Sequence, residues 1–196
     1  MKGFFTVILS LVLASSYGQE KQHYFPVFTF HKKNANIHGV SLGFWNFSSK
    51  PRNTTTNGLR LSLIGEGIVV PFVAQDPLAD NDSLLQEVRA NPVSERVNGI
   101  SFSTLGNAGA YAINGMALGY VGHFHQQVNG ISVAALNFSQ LHNGVQAAVF
   151  MNECAQMKGV QVGFWNISKK TRGVQIGLWN VNEKRKLPLL NWNFRN

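Results

Sequence analysis

From Gly39 almost to the C-terminus the chain repeats a short alternation of apolar and polar positions behind a glycine. The clearest copies read Gly159-Val-Gln-Val-Gly-Phe-Trp-Asn-Ile-Ser168, Gly39-Val-Ser-Leu-Gly-Phe-Trp-Asn-Phe-Ser48 and Gly173-Val-Gln-Ile-Gly-Leu-Trp-Asn-Val181, while Gly58, Gly99, Gly115, Gly130 and Gly144 open looser ones. The first residue after the glycine is apolar in all eight copies: Val40, Leu59, Ile100, Met116, Ile131, Val145, Val160 and Val174. The third and fifth are apolar almost throughout, with Thr104 polar, whereas the second and fourth are polar and then small, as in Ser41 and Gly43 or Gln161 and Gly163. Alternate side chains of a strand point to opposite sides, so this period of two predicts β-strands with one apolar and one polar-small face. A helix would scatter both classes around its circumference.

The glycines at 99, 115, 130, 144, 159 and 173 set units of 14 to 16 residues, each predicted to hold a strand of about nine or ten residues and a turn of about five. Self-similarity at that period signals a meander of similar hairpins or the coils of a solenoid. Tyr24 to Phe30 predicts a first strand with Pro26 near its start, Ser49 to Asn57 a polar connection, and Lys186 to Phe194 a closing strand or cap. Regularity breaks between 65 and 98. Within that insertion Asp82 to Ala90 predicts a short helix, with Gln86 three residues after Ser83 in a capping-box layout and Pro92 as its stop. An insertion of this length in a regular fold reads as functional or lid-like.

Residues 1–18 join one lysine, an apolar run and small residues at Ser16 and Gly18, the layout of a secretory signal peptide cleaved after Gly18. The run is too short for the roughly 20 residues of a spanning helix. Residues 19–196 then form a single repeat-built β domain. The formal charge of +8 becomes +7 without Lys2, and it gathers in predicted turns at Lys32, Lys33, Lys50, Arg52, Lys169, Lys170, Arg172 and Lys184 to Lys186. Such clusters suit solvated turns or anionic surface groups. Export and the lack of a recognised module argue against nucleic acid.

The search for chemistry yields little. One cysteine, Cys154, excludes a disulfide within the chain, and the pattern places it in an inter-strand turn as a plain thiol without a His or Asp partner. His123 and His125 share one side of a predicted strand, a spacing that can seed a metal site, yet no third ligand is evident and surface or turn histidines are the expectation. The sequons at Asn46, Asn53, Asn81, Asn137 and Asn166 read as by-products of a motif rich in Asn and Ser. Paired carboxylates, a nucleophile elbow and a Walker motif are all lacking. No catalytic, cofactor-binding or metal-ligating residue is assigned, and the expected class is non-enzymatic.

The units at 159–166 and 173–180, with the ending Arg185-Lys-Leu-Pro-Leu-Leu-Asn-Trp192, resemble the surface-repeat family of exported bacterial proteins of spirochaetes and Bacteroidota. The resemblance covers residues 36–194. It implies export, residence at the outer membrane or cell surface and a partner there, either outer-membrane lipid or a cell-surface component; it carries no catalytic residue. Some members are lipoproteins, but no cysteine follows the signal peptide here.

Strand length and the two-faced pattern predict an all-β, antiparallel meander closed as an outer-membrane barrel of about 9–11 strands with a structural or pore-like role. The alternative is a β-solenoid binding module, soluble or surface-attached, with the apolar face turned into its core. The pairs Trp45-Asn46, Trp165-Asn166 and Trp179-Asn180 suit an aromatic girdle in the first and corner ladders in the second. Small residues at the fourth position, Gly43, Gly119, Ala134, Ala148, Gly163 and Gly177, imply crowding in a barrel lumen but an open outer stripe in a solenoid.

Overall fold

The computed structural model describes residues 21–25, 27–30, 33–44, 51–73 and 78–195. The signal segment 1–18 lies outside these residues, as do Pro26, Lys32 and the pair Trp45-Asn46. Nine strands form one sheet: β1 (Gln22–Tyr24), β2 (Val27–Phe30), β3 (Ala35–Gly43), β4 (Thr54–Ser62), β5 (Glu95–Ser103), β6 (Ala108–Gly119), β7 (Gly122–Val162), β8 (Trp165–Val181) and β9 (Lys186–Asn193). Both β1 and β2 pair with β3, and the order then runs β3 to β9 in sequence.

Pairing from β1 to β8 is parallel and in register, so that Gly39, Gly58, Gly99, Gly115 and Gly130 lie on successive rungs and Gly159 meets Gly173. Only β9 runs antiparallel, against β8, and it closes the stack as the predicted cap. The expected antiparallel barrel is therefore wrong. The chain is a β-solenoid: each strand lies beside the same positions of the next unit, and the presumed turns join the ladder, as the unbroken β7 shows.

The glycine row explains why units stack this way. Each opening glycine adopts a positive φ, between +122° at Gly39 and +155° at Gly173, which L side chains rarely adopt. A Cβ added at Gly159 would lie 2.0 Å from the Gly144 carbonyl oxygen, and one at Gly173 would lie 1.8 Å from that of Gly159. These glycines are also mid-strand rather than openers: β3, β4 and β5 each begin four residues before theirs.

Burial inverts the expected faces. Counted from the glycine, even positions are inside: Glu95, Val97, Ser101 and Ser103 are buried in β5, and Ser41, Arg60, Ser132, Gln146, Gln161 and Gln175 occupy the second position with at most 1% exposure. The apolar first and third positions face outward. Amide ladders hold the interior, with Gln161 Nε2 donating to Gln146 Oε1 and Gln175 Nε2 to Gln161 Oε1, both at 2.8 Å. At one corner Asn152 donates to Asn166 and Asn166 to Asn180, each at 2.8 Å. Identical amides can join like this only when identical positions stack, which parallel register provides and antiparallel pairing does not. Apolar packing supplies a second layer inside, where Val97, Ile113 and Val128 line up with Tyr111 and Ala117.

The insertion folds as a short 3-10 turn (Gly67–Val69), a one-turn helix (Val70–Val73) and the predicted helix Asp82–Ala90. Its cap is Asn81, whose Oδ1 accepts from the Leu84 amide at 2.9 Å, rather than the anticipated capping box. Leu78, Ala79 and Leu85 pack on Leu141 and Ala155, and Gln126 donates to the carbonyls of Val88 and Asn91. The insertion thus covers one flank of the solenoid and leaves the first-and-third-position face bare.

The glycine row yields a prediction. Gly159→Ala combines a strained φ of +134° with a backbone clash and should cost about 3 kcal/mol. Urea unfolding measures this, and a parent-like midpoint would show that the rungs are not stacked as described.

Candidate binding surface

Two polar features interrupt the interior, and neither opens to solvent. Arg60 stands where other units carry Ser, Gln or Ala, and it is fully buried. Its Nε donates to Glu95 Oε1 at 2.8 Å, Nη1 to Ser62 and Asn107, each at 2.9 Å, and Nη2 to Tyr111 at 3.2 Å. Burial pulls the guanidinium pKa down, but Glu95, Tyr111 and Glu66 outweigh it and leave the group above its ordinary value. A pair this well bonded fixes the register of β4 against β5, at a desolvation cost that its hydrogen bonds offset.

The second feature is histidine. His123 and His125 are not surface or turn residues: both are fully buried, stacked at 4.8 Å, with Asn107 donating its amide to His123 Nδ1 at 3.2 Å. Burial pushes His123 and His142 down to about 4, and burial with the neighbouring His123 and His142 holds His125 well below its ordinary value. No group of three or more His, Cys, Asp or Glu residues that could hold a metal occurs among the described residues. Cys154 is likewise not in a turn but buried in β7, where burial pushes its thiol up to about 12 and Gln161 lies 3.6 Å from its sulfur. A thiol so protonated is a poor nucleophile. The sequon residues Asn137 and Asn166 are buried too.

What remains exposed is the apolar face. Val149 is 60% exposed, Leu178 59% and Trp165 54%, and Val162, Phe164, Ile176 and Trp179 extend the same surface. In β9, Leu190 pairs with Ile176 and Trp192 with Val174, which carries the surface onto the closing strand. The small fourth-position residues form the floor of shallow grooves on this face. One of about 440 Å³ runs over Gly163 and Gly177 between Val162, Phe164, Ile176 and Leu178. Another of about 300 Å³ runs over Gly119 and Ala134 beside Leu118 and Tyr120, and Val149 borders both. The expectation that bulk would be cheap there in a solenoid also fails: a Cβ at Gly177 would lie 1.8 Å from the Gly163 oxygen and 2.6 Å from Asn166 Nδ2. Trp165 and Trp179 lie outside while Asn166 and Asn180 turn inward, so each Trp-Asn pair straddles the wall.

Cations flank one end of this face. Arg185 stacks on Trp192 at 4.4 Å, and Lys158 and Arg172 stand exposed one residue before Gly159 and Gly173, beside Val160 and Val174. Contiguous exposed apolar surface with a polar rim marks a contact surface rather than ordinary solvent-facing sheet. No family model, curated protein or solved structure matches the chain.

The buried histidines set a pH response. Each ordinarily titrates near 6.5, and His123 and His142 are held to about 4 in the fold, so the unfolded chain takes up protons first as pH falls. Stability is full above about pH 6.5 and is lost as pH drops toward about 4, by roughly 1.4 kcal/mol per pH unit for each histidine. Thermal melts over this range should fall more steeply for the parent than for His142→Gln. Equal slopes would place His142 in contact with water.

Proposed function

We propose that the chain is a non-enzymatic, exported β-solenoid that attaches to an anionic lipid surface through its bare apolar face, at the outer membrane or cell surface. The carrying observation is the inverted pattern, with Val, Ile, Leu, Phe and Trp outside and Gln, Asn and Ser inside. Turning the greasy positions outward leaves water against surface that a soluble protein ordinarily buries, so a partner that covers them gains roughly 25 cal/mol per Å². Charge selects the partner. The formal charge is +8, so a second copy would set like charges against each other, whereas anionic headgroups complement the cations beside the face. Exposed Trp165, Trp179 and Trp192 suit the headgroup level, where amphipathic rings collect. No helix among the described residues is long and apolar enough to cross a membrane. The reading agrees with what the surface-repeat resemblance implies about location.

Cosedimentation with vesicles tests this. The protein should pellet with phosphatidylcholine vesicles containing phosphatidylglycerol, with a blue shift in tryptophan emission, and should bind pure phosphatidylcholine more weakly. Phe164→Ser with Leu178→Ser should lower affinity at least about tenfold, since each buried large apolar side chain contributes about 1.5 to 3 kcal/mol. Native membranes should release it into alkaline carbonate. Failure to bind either vesicle, or a stable dimer that shields the tryptophans, would refute the lipid reading.

A further inference from the structure

We propose that the last three rungs of the solenoid form a binding site for a phosphate group, and that in the membrane-attached protein this group is a lipid headgroup phosphate. The second clause rests on the lipid reading above; the first does not. A cleft of about 380 Å³ is lined by Lys158, Lys170, Arg172, Glu183, Lys184 and Arg195. That volume suits a small phosphate ester.

The row that contains Lys158 and Arg172 shows why this cleft is more than a charged surface. In the units of Gly58, Gly99, Gly115, Gly130 and Gly144 the residue before the glycine is Asn, and these stack as a ladder: Asn98 donates to Asn57, Asn114 to Asn98, Asn129 to Asn114 and Asn143 to Asn129, each at 2.7 Å. The next two rungs replace the amide with Lys158 and Arg172, which pair in register. Parallel neighbours lie about 4.8 Å apart, and like charges placed directly opposite are destabilising. The ladder is abandoned at a cost, and a bound dianion would offset it.

The acidic groups beside the cleft already have partners of their own. The described residues hold two ion pairs, Arg60 with Glu95 and Lys170 with Asp82, and neither involves Lys158, Arg172, Lys184 or Arg195. Glu183 directs Oε2 to the Thr171 amide at 3.0 Å and Oε1 to the Asn193 amide group. Lys184 donates to Asn193 Oδ1 at 3.2 Å, which leaves protons free for a ligand. Arg172 offers a planar fork for two phosphate oxygens, and Lys158 a compact charge on the rung beside it. Lys158 and Arg172 stand two residues before Val160 and Val174, across the opening glycine from the start of the apolar face.

Lys158→Asn with Arg172→Asn extends the existing ladder and keeps the fold, so it removes the site without a destabilising deletion. Lys33→Gln with Arg96→Gln removes the same charge from exposed positions elsewhere. Calorimetric titration with glycerol 3-phosphate should show binding that weakens at least tenfold in the Asn double variant and under twofold in the control. The Asn variant should also melt above the parent. Equal loss of phosphatidylglycerol-vesicle binding assigns the phosphate to a lipid, whereas intact vesicle binding assigns the site to a free phosphate ester. Glycerol 3-phosphate binding without vesicle binding removes the lipid reading and leaves the site. Affinities for both probes that are the same in the Asn variant and the control would overturn the site itself, even if Phe164→Ser with Leu178→Ser still abolished vesicle binding.

Discussion

The close approach of glycine to glycine is the constraint on which the rest depends. A positive φ at one position per unit, with the preceding rung's carbonyl about 2 Å from where a side chain would begin, admits one residue type and one stacking register. Once the glycines stack, every other position stacks on its counterpart in the next unit. Gln then meets Gln, Asn meets Asn, and the interior is held by amides bonded from rung to rung as well as by packed hydrocarbon. The buried charge pair Arg60 with Glu95 occurs where that repetition is broken and the side chains must be satisfied individually.

Much of the fold was legible in the sequence. Period two, the unit length, the helix at Asp82–Ala90 and the closing segment follow from local chemistry, and the structure contains each of them. The pairing direction was also legible, had the Gln at 146, 161 and 175 and the Asn at 57, 98, 114, 129 and 143 been read as ladders. Identical hydrogen-bonding side chains at one position of successive units favour in-register stacking. What could not be read was which face is inside. Alternation specifies two faces without specifying the solvent of either, and the usual assumption that Val, Ile and Phe point inward fails when amide networks satisfy the interior.

The site was less legible because it is a surface and not a motif. Period two marked Val162, Phe164, Ile176 and Leu178 as one face, but their exposure depends on the tertiary arrangement. Arg172 read as a turn charge and Lys158 was not singled out; the in-register pairing makes them neighbours and joins them to Lys184 and Arg195 across three rungs and the tail. The insertion explains the asymmetry. It packs Leu85 against Leu141 and Ala155, so one flank is covered from within the chain and the apolar face is left bare.

Cysteine cross-linking in a Cys154→Ser background tests parallel, in-register stacking most directly. Val160 and Val174 oppose each other on adjacent rungs. Their separation of about 4.8 Å lies within the range a disulfide spans. Val160→Cys with Val174→Cys should therefore oxidise readily to an intramolecular disulfide, while Val160→Cys with Leu178→Cys, four residues out of register, should not. Fast closure of the second pair and none of the first would contradict the solenoid.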